Sequence, residues 1–159
     1  DNTGPAVGSI KTCGSSAKDN ASCGFDTAIH STASFIKENA MADKLVILMS
    51  RGIDSEMSSV AFTLAHGAQT AEMQVFVFLT SAAVDLARKR GQQLTHVPPL
   101  DPLRQLMDAF LSRGGKIWAC PPCVTSRGYE AADFIDGIEI KGASAMFEQV
   151  KAGAATLSF

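Results

Sequence analysis

Two cysteines, Cys120 and Cys123, bracket a Pro121-Pro122 pair in the stretch Ala119-Cys120-Pro121-Pro122-Cys123-Val124-Thr125-Ser126-Arg127-Gly128. A proline pushes the residue before it out of the α region, so Cys120 and Pro121 should be extended. Pro122 has no N–H to leave unpaired and suits the first position of a helix. Cys123 then falls in the first helical turn, where the helix dipole and unsatisfied N–H groups favour a thiolate. Arg127, four residues on, shares that face and adds positive charge. The thiolate is the nucleophilic form of cysteine, and a second thiol beside it can resolve a mixed disulfide or a persulfide. A single cysteine at a strand end is often just a small buried apolar residue. Two of them flanking a double proline point instead to chemistry.

Three chemistries use such a pair. Thioredoxin-like disulfide exchange is one, but that fold carries its CxxC after its first strand, whereas this pair follows the third strand of the body. Zinc binding is another. It would need Cys13 and Cys23 as partners, and their wide separation in a Gly/Ser-rich segment is unlike the short spacing of zinc ligands, so no metal site is expected. The third is sulfur carriage, in which one cysteine holds a persulfide and passes its outer sulfur to another thiol. None of these implies an organic cofactor.

The elements that must position the dithiol can be read from the apolar pattern. Lys44–Ser50, Met73–Thr80 and Lys116–Cys120 are short, nearly continuous apolar runs, as expected of strands covered on both faces. Between them, Ser55–Ala68 reads as a helix capped by Asp54, and Ser81–Arg90 as a short helix ended by Gly91. Asp101 is expected to cap a further helix with Pro102 at its first position and Leu103, Leu106, Met107 and Phe110 as its core stripe. Beyond the dithiol, a helix over Pro122–Ile135, a strand over Ile138–Lys141, a helix over Ser144–Ala152 and a strand over Ala154–Phe159 complete the body. Strands separated by helices imply crossover connections, hence a single three-layer α/β/α domain around a five-stranded, mostly parallel sheet.

In such sheets ligands gather at the carboxyl ends of the strands, where Cys120 lies. The turn Ser50-Arg51-Gly52-Ile53-Asp54 and the pair Thr80-Ser81 leave their strands at the same rim. Arg51 is a supporting candidate, although Arg51 and Asp54 read more readily as a surface pair and a cap than as site residues. His96, in a proline-bounded loop, could reach the rim as a proton carrier, but reads at least as well as an exposed loop residue with no role. His66 reads as structural, His30 as a surface residue and Trp118 as core. Cys13 and Cys23 could bridge in an oxidising compartment or remain free in a reducing one. Asn20-Ala21-Ser22 matches a glycosylation sequon only by pattern.

The chain has 159 residues, 46% hydrophobic and 19% charged, with a net charge of −2, so no basic surplus points to nucleic acid or an anionic membrane surface. No run reaches the roughly 18 apolar residues of a membrane span, and no secretory signal is visible, so a cytoplasmic location is expected. Residues 1–24 are rich in Gly, Ser, Asn, Asp and Ala and read as a flexible arm; 25–42 carry a helical spacing at Ile29, Ala33, Ile36 and Ala40; 43–159 form the α/β domain.

The Ser50-Arg51-Gly52 turn, the Gly114-Gly115-Lys116-Ile117-Trp118-Ala119-Cys120 approach, the Cys120-x-x-Cys123-x-x-x-Arg127-Gly128 stretch and the closing segment from Ile135-Asp136-Gly137 through Gly142-Ala143 together resemble the DsrE/DsrF-like (YchN-like) family over about residues 43–159. The cysteine-to-Arg-Gly stretch is the most specific part. The resemblance implies a small α/β protein that assembles as a trimer or hexamer and works as a sulfurtransferase or sulfur carrier with donor and acceptor proteins. It places the carrier at Cys120 and makes Cys123 a helper that only some members have, whereas helix position alone favours Cys123 as the thiolate. Two other functions stay open: a non-catalytic assembly module whose residues 1–40 mediate contacts, and a thiol–disulfide oxidoreductase.

Overall fold

Alternation along three apolar strands divides the protein into layers. In β1 (Lys44–Met49), Leu45, Ile47 and Met49 point to one side of the sheet and Val46 to the other; in β2 (Gln74–Leu79), Val75, Val77 and Leu79 oppose Phe78. In β3 (Lys116–Ala119), Ile117 and Ala119 oppose Trp118. Both sides are apolar because both are covered, which is the condition for a parallel sheet. The computed structural model describes residues 43–91 and 96–159. The arm at 1–24, the helix at 25–42, and with them Cys13, Cys23 and His30, lie outside the described residues.

The strand order is β4-β3-β2-β1-β5, with every pairing parallel. β1 to β4 (Ile138–Ile140) step in one direction, and the larger core lies under the connections between them. Those connections are α1 (Glu56–Thr70), a 3-10 helix (Ser81–Ala87), α2 (Leu103–Ser112) and the short α3 (Pro121–Ser126). α4 (Ala143–Lys151) then crosses the opposite face, where Met146 covers Val46, Phe78 and Trp118, and delivers β5 (Ala155–Ser158) to the free edge of β1. The expected three-layer α/β domain with five strands is therefore the fold, and its sheet is wholly parallel.

Several boundaries differ from the sequence reading. Ser55, not Asp54, caps α1: its Oγ accepts from the Met57 N–H at 3.3 Å. Pro102 sits before α2 at ψ 135° rather than in its first turn, and no side chain caps that end. The expected stripe Leu103, Leu106, Met107 and Phe110 is buried. The segment after β2 stops at Ala87 instead of running to Arg90. There the backbone turns to a new partner: Ile135 N–H donates to Ala87 O, Lys89 N–H to Asp133 O, and Arg88 bridges Phe134 antiparallel. The basic residues 88–90 thus lie beyond the helix end.

The helix after the dithiol is also shorter than Pro122–Ile135. It begins at Pro121, because the first helical bond runs from Val124 N–H to Cys120 O at 3.0 Å and spans both prolines, so neither has to donate. It ends in a Schellman motif. Gly128, at φ +67°, donates to Thr125 O, and Tyr129 N–H reaches back to Val124 O. Ile135 is reached only after a separate 3-10 turn at Ala131–Asp133.

Candidate functional site

The rim at the carboxyl ends of β1, β2 and β3 is drawn together by backbone and buried serine bonds. Ser58, fully buried in α1, donates from Oγ to Gly52 O at 2.8 Å and holds the turn after β1 down. Gly52 is itself buried against Ala82, so the turns after β1 and β2 lie in contact. Cys120 N–H donates to Leu79 O at 3.0 Å, which extends the β2–β3 ladder up to the first cysteine.

The period of the strand then decides where each sulfur goes. Cys120 continues the face of Trp118 and packs against the smaller core. Cys123, three residues later and one helical turn round, packs against the larger core on the opposite face. Both are free thiols and both are partly exposed.

Cys123 is the polarised member of the pair. Its Sγ accepts from the Ser81 N–H at 3.2 Å, and Thr80 Oγ1 lies 3.6 Å away. Ser81 presents that N–H because its backbone is left-handed, φ +50°, an uncommon conformation for a residue with a Cβ. The Thr80 hydroxyl, then the Ser81 N–H, the Cys120 thiol and the Arg127 charge hold the Cys123 thiol below the ordinary cysteine range, against burial, which pushes it up. Sequence position alone also favours a thiolate here, but through the helix dipole. The cause is different: two of the first three helical residues are prolines without N–H, and the donors come from the turn after β2 instead.

Arg127 acts at one remove. Its Nη1 donates to Cys123 O at 3.2 Å, and its Nε pairs with Asp85 Oδ1 at 3.4 Å. The same carboxylate oxygen accepts from Tyr129 Oη at 3.0 Å, while Arg88 lies 4.8 Å above the Tyr129 ring. Burial and Asp85 push the Tyr129 phenol above its usual range, so it stays an O–H donor. Asp85 therefore ties the start of α3 and the Schellman turn to the 3-10 helix beneath them.

The sequence-level supporting residues divide. Arg127 joins the dithiol. Arg51 is exposed on the rim, and its carbonyl accepts from Ser58 Oγ at 3.3 Å, but its guanidinium makes no ion pair or hydrogen bond with another described residue. His96 is exposed, and no hydrogen bond joins it to either cysteine. His66 is structural, as expected: its Nε2 lies 2.9 Å from Leu106 O, between α1 and α2. Sequence reasoning placed Thr80 and Ser81 on the rim without a role, and missed Asp85 and Tyr129. Among the described residues, no three His, Cys, Asp or Glu side chains gather to hold a metal ion.

Residues 43–159 match the DsrE/DsrF-like family. The chain belongs to this family. A Methanopyrus kandleri protein described as uncharacterised is 30% identical over 95 residues, 60% of this chain and 75% of that one. The fold is similar to that of the ychN protein from E. coli, with a TM-score of 0.64 at 21% identity, covering 75% of this chain and 100% of that chain. It is also similar to a protein of unknown function from Bacteroides thetaiotaomicron, with a TM-score of 0.54 at 25% identity, over 76% of this chain and 100% of the other. The DsrE/DsrF-like match thus takes in the whole rim, with Thr80, Ser81, Asp85, Cys120, Cys123 and Arg127.

Proposed function

We propose that this protein traffics sulfur, accepting sulfane sulfur as a persulfide on the Cys120–Cys123 dithiol and handing it to a thiol of an acceptor protein. The observation that carries this reading is the pair itself: a thiol, Cys120, beside a sulfur, Cys123, that accepts a backbone N–H and is held toward the thiolate. A thiolate attacks sulfane sulfur, and a neighbouring thiol can accept or resolve the product. Membership of the DsrE/DsrF-like family, a sulfur-relay family, supports the same chemistry, and the resemblance of the Cys120-to-Gly128 stretch favours Cys120 as the resting place of the sulfur. Arg127 serves as support, and no organic cofactor is required. Incubation with a small-molecule persulfide followed by mass spectrometry should show one added sulfur, about +32 Da, on the peptide carrying both cysteines. Uptake by neither cysteine would sink the reading.

The partners that follow are a sulfur-donor protein, an acceptor protein and further copies of the same chain, in the cytoplasm. Among the described residues no helix is long and apolar enough to cross a membrane. Self-assembly as a trimer or hexamer is supported by the α4–β5 side, where Phe147 is 56% and Leu157 42% exposed beside a groove of about 410 Å³. Sedimentation should find a closed oligomer that Phe147→Glu shifts toward smaller species; a wild-type monomer at micromolar concentration would contradict it.

A further inference from the structure

Sulfur carriage needs only one thiol, yet the rim holds two neighbouring ones, each packed against a different core, and treats them unequally. The Thr80 hydroxyl and the Ser81 N–H both face Cys123 Sγ, and the nearby Cys120 thiol adds to the groups that favour its ionised form. Cys120 Sγ accepts from none of them and packs among Trp118, Phe78 and Met146. Resting on the carrier reading above, we propose that sulfur enters at Cys123 and is relayed within the chain to Cys120, with Thr80 and Ser81 as positioning residues that set the direction of transfer.

The chemistry balances without an oxidant or reductant. The Cys123 thiolate attacks the outer sulfur of a donor persulfide, R–S–S–H. A bond forms between Cys123 Sγ and that sulfur, the bond to the donor's inner sulfur breaks, and the donor leaves as R–S⁻. Cys120 then gives up its proton, which the donor thiolate takes, and attacks the same outer sulfur. The Cys120–sulfur bond forms, the bond to Cys123 breaks, and Cys123 leaves as a thiolate. One R–S–S–H and one Cys120 thiol become one R–S–H and one Cys120 persulfide, with Cys123 a thiolate at the start and the end.

The direction follows from which sulfur is better held as an anion. Each step breaks one S–S bond and forms another, so the bonds themselves nearly cancel. Hydrogen bonds to an ionised acceptor are about twice as strong as neutral ones. Persulfide on Cys123 converts the sulfur that Thr80 and Ser81 face into a neutral divalent one and weakens both contacts. Persulfide on Cys120 leaves them at full strength. A low-pKa thiolate is also the better leaving group. The same donors therefore prepare Cys123 for attack and then expel it.

The test is to load the full-length protein with glutathione persulfide, quench with an alkylating agent at increasing times, and locate the added sulfur by fragmenting the tryptic peptide Ile117–Arg127. In the wild type the adduct is expected first on Cys123 and then, at equilibrium, roughly tenfold more on Cys120. Thr80→Val should move that ratio about tenfold toward Cys123, and Thr80→Ser, which keeps the hydroxyl, should restore it. Cys123→Ser should still load Cys120, but at least about tenfold more slowly. A wild-type ratio in Thr80→Val, or full-speed loading of Cys120 in Cys123→Ser, overturns the relay while leaving carriage intact. Absence of any adduct in the wild type removes carriage, and the relay with it.

Discussion

Cys123→Ser is expected to abolish the fast phase of thiol alkylation near neutral pH, lowering the rate by roughly tenfold or more, whereas Cys120→Ser is expected to keep most of it. Alkylating agents react with the thiolate, so the rate follows the ionised fraction. Cys123 keeps its Thr80 and Ser81 donors when Cys120 is replaced and loses only the Cys120 contribution. A fast phase that disappears in Cys120→Ser and survives in Cys123→Ser would reverse the assignment. The pH dependence carries the same information. In the wild type the rate should persist to lower pH than for a free cysteine, and Thr80→Val should move its midpoint up. Stability must follow with a definite sign. The folded-state pKa of Cys123 lies below its unfolded value, so its ionisation contributes stability that is present above the unfolded pKa and lost as pH falls through the folded one. Thr80→Val should therefore cost more stability at about pH 9.5 than at about pH 6, on either side of the ordinary cysteine value of about 8.5. A cost independent of pH would mean that Thr80 acts through packing alone.

Phe110→Ala is expected to destabilise the protein by about 3–5 kcal/mol, enough to unfold a marginal domain at physiological temperature. Phe110 is fully buried at the meeting of α1, α2 and the sheet. Its ring meets Phe62 edge-on at 5.7 Å between centroids and His66 at 6.4 Å. It also lies so close to Gly115 that a Cβ there would clash with the Phe110 ring, so nothing on that side can move in to fill the gap without a backbone shift. Chemical denaturation should show the lost stability. Gly115→Ala, which forces the opposite error at the same contact, should cost about 1–3 kcal/mol or more. A midpoint unchanged in Phe110→Ala would mean that this core relaxes far more than close packing allows.

The layer plan was legible because β1, β2 and β3 are apolar on both faces, and only a sheet covered twice produces such runs. The Leu103, Leu106, Met107 and Phe110 stripe was legible for the same reason: periodicity reports burial directly. Boundaries set by long-range bonds were not. Nothing local to Ala87 announces that Arg88 and Lys89 will bond with Phe134 and Asp133, more than forty residues away, and end the helix early. At the dithiol, composition and spacing exposed the two sulfurs, and Arg127 at four residues' distance. The groups that act on Cys123 come from the end of β2 through a left-handed Ser81, which no sequence rule for serine anticipates. Asp85 and Tyr129 were invisible as partners because each looks ordinary alone; only the contact between the 3-10 helix and the Schellman turn joins them.

The pairing of β1 with β5 sets an order of events during synthesis. Leu45 pairs with Ala155 and Leu48 with Ser158, while the Ser50 N–H and Oγ both donate to Phe159 O, at 2.8 and 2.9 Å. Of the described strands, the first to be synthesised is thus among the last to be completed. Until β5 arrives, β1 presents one whole row of backbone donors and acceptors, on an apolar strand, to whatever is nearby. Non-local closure of this kind is slow, so the nascent domain depends on how quickly β5 follows α4.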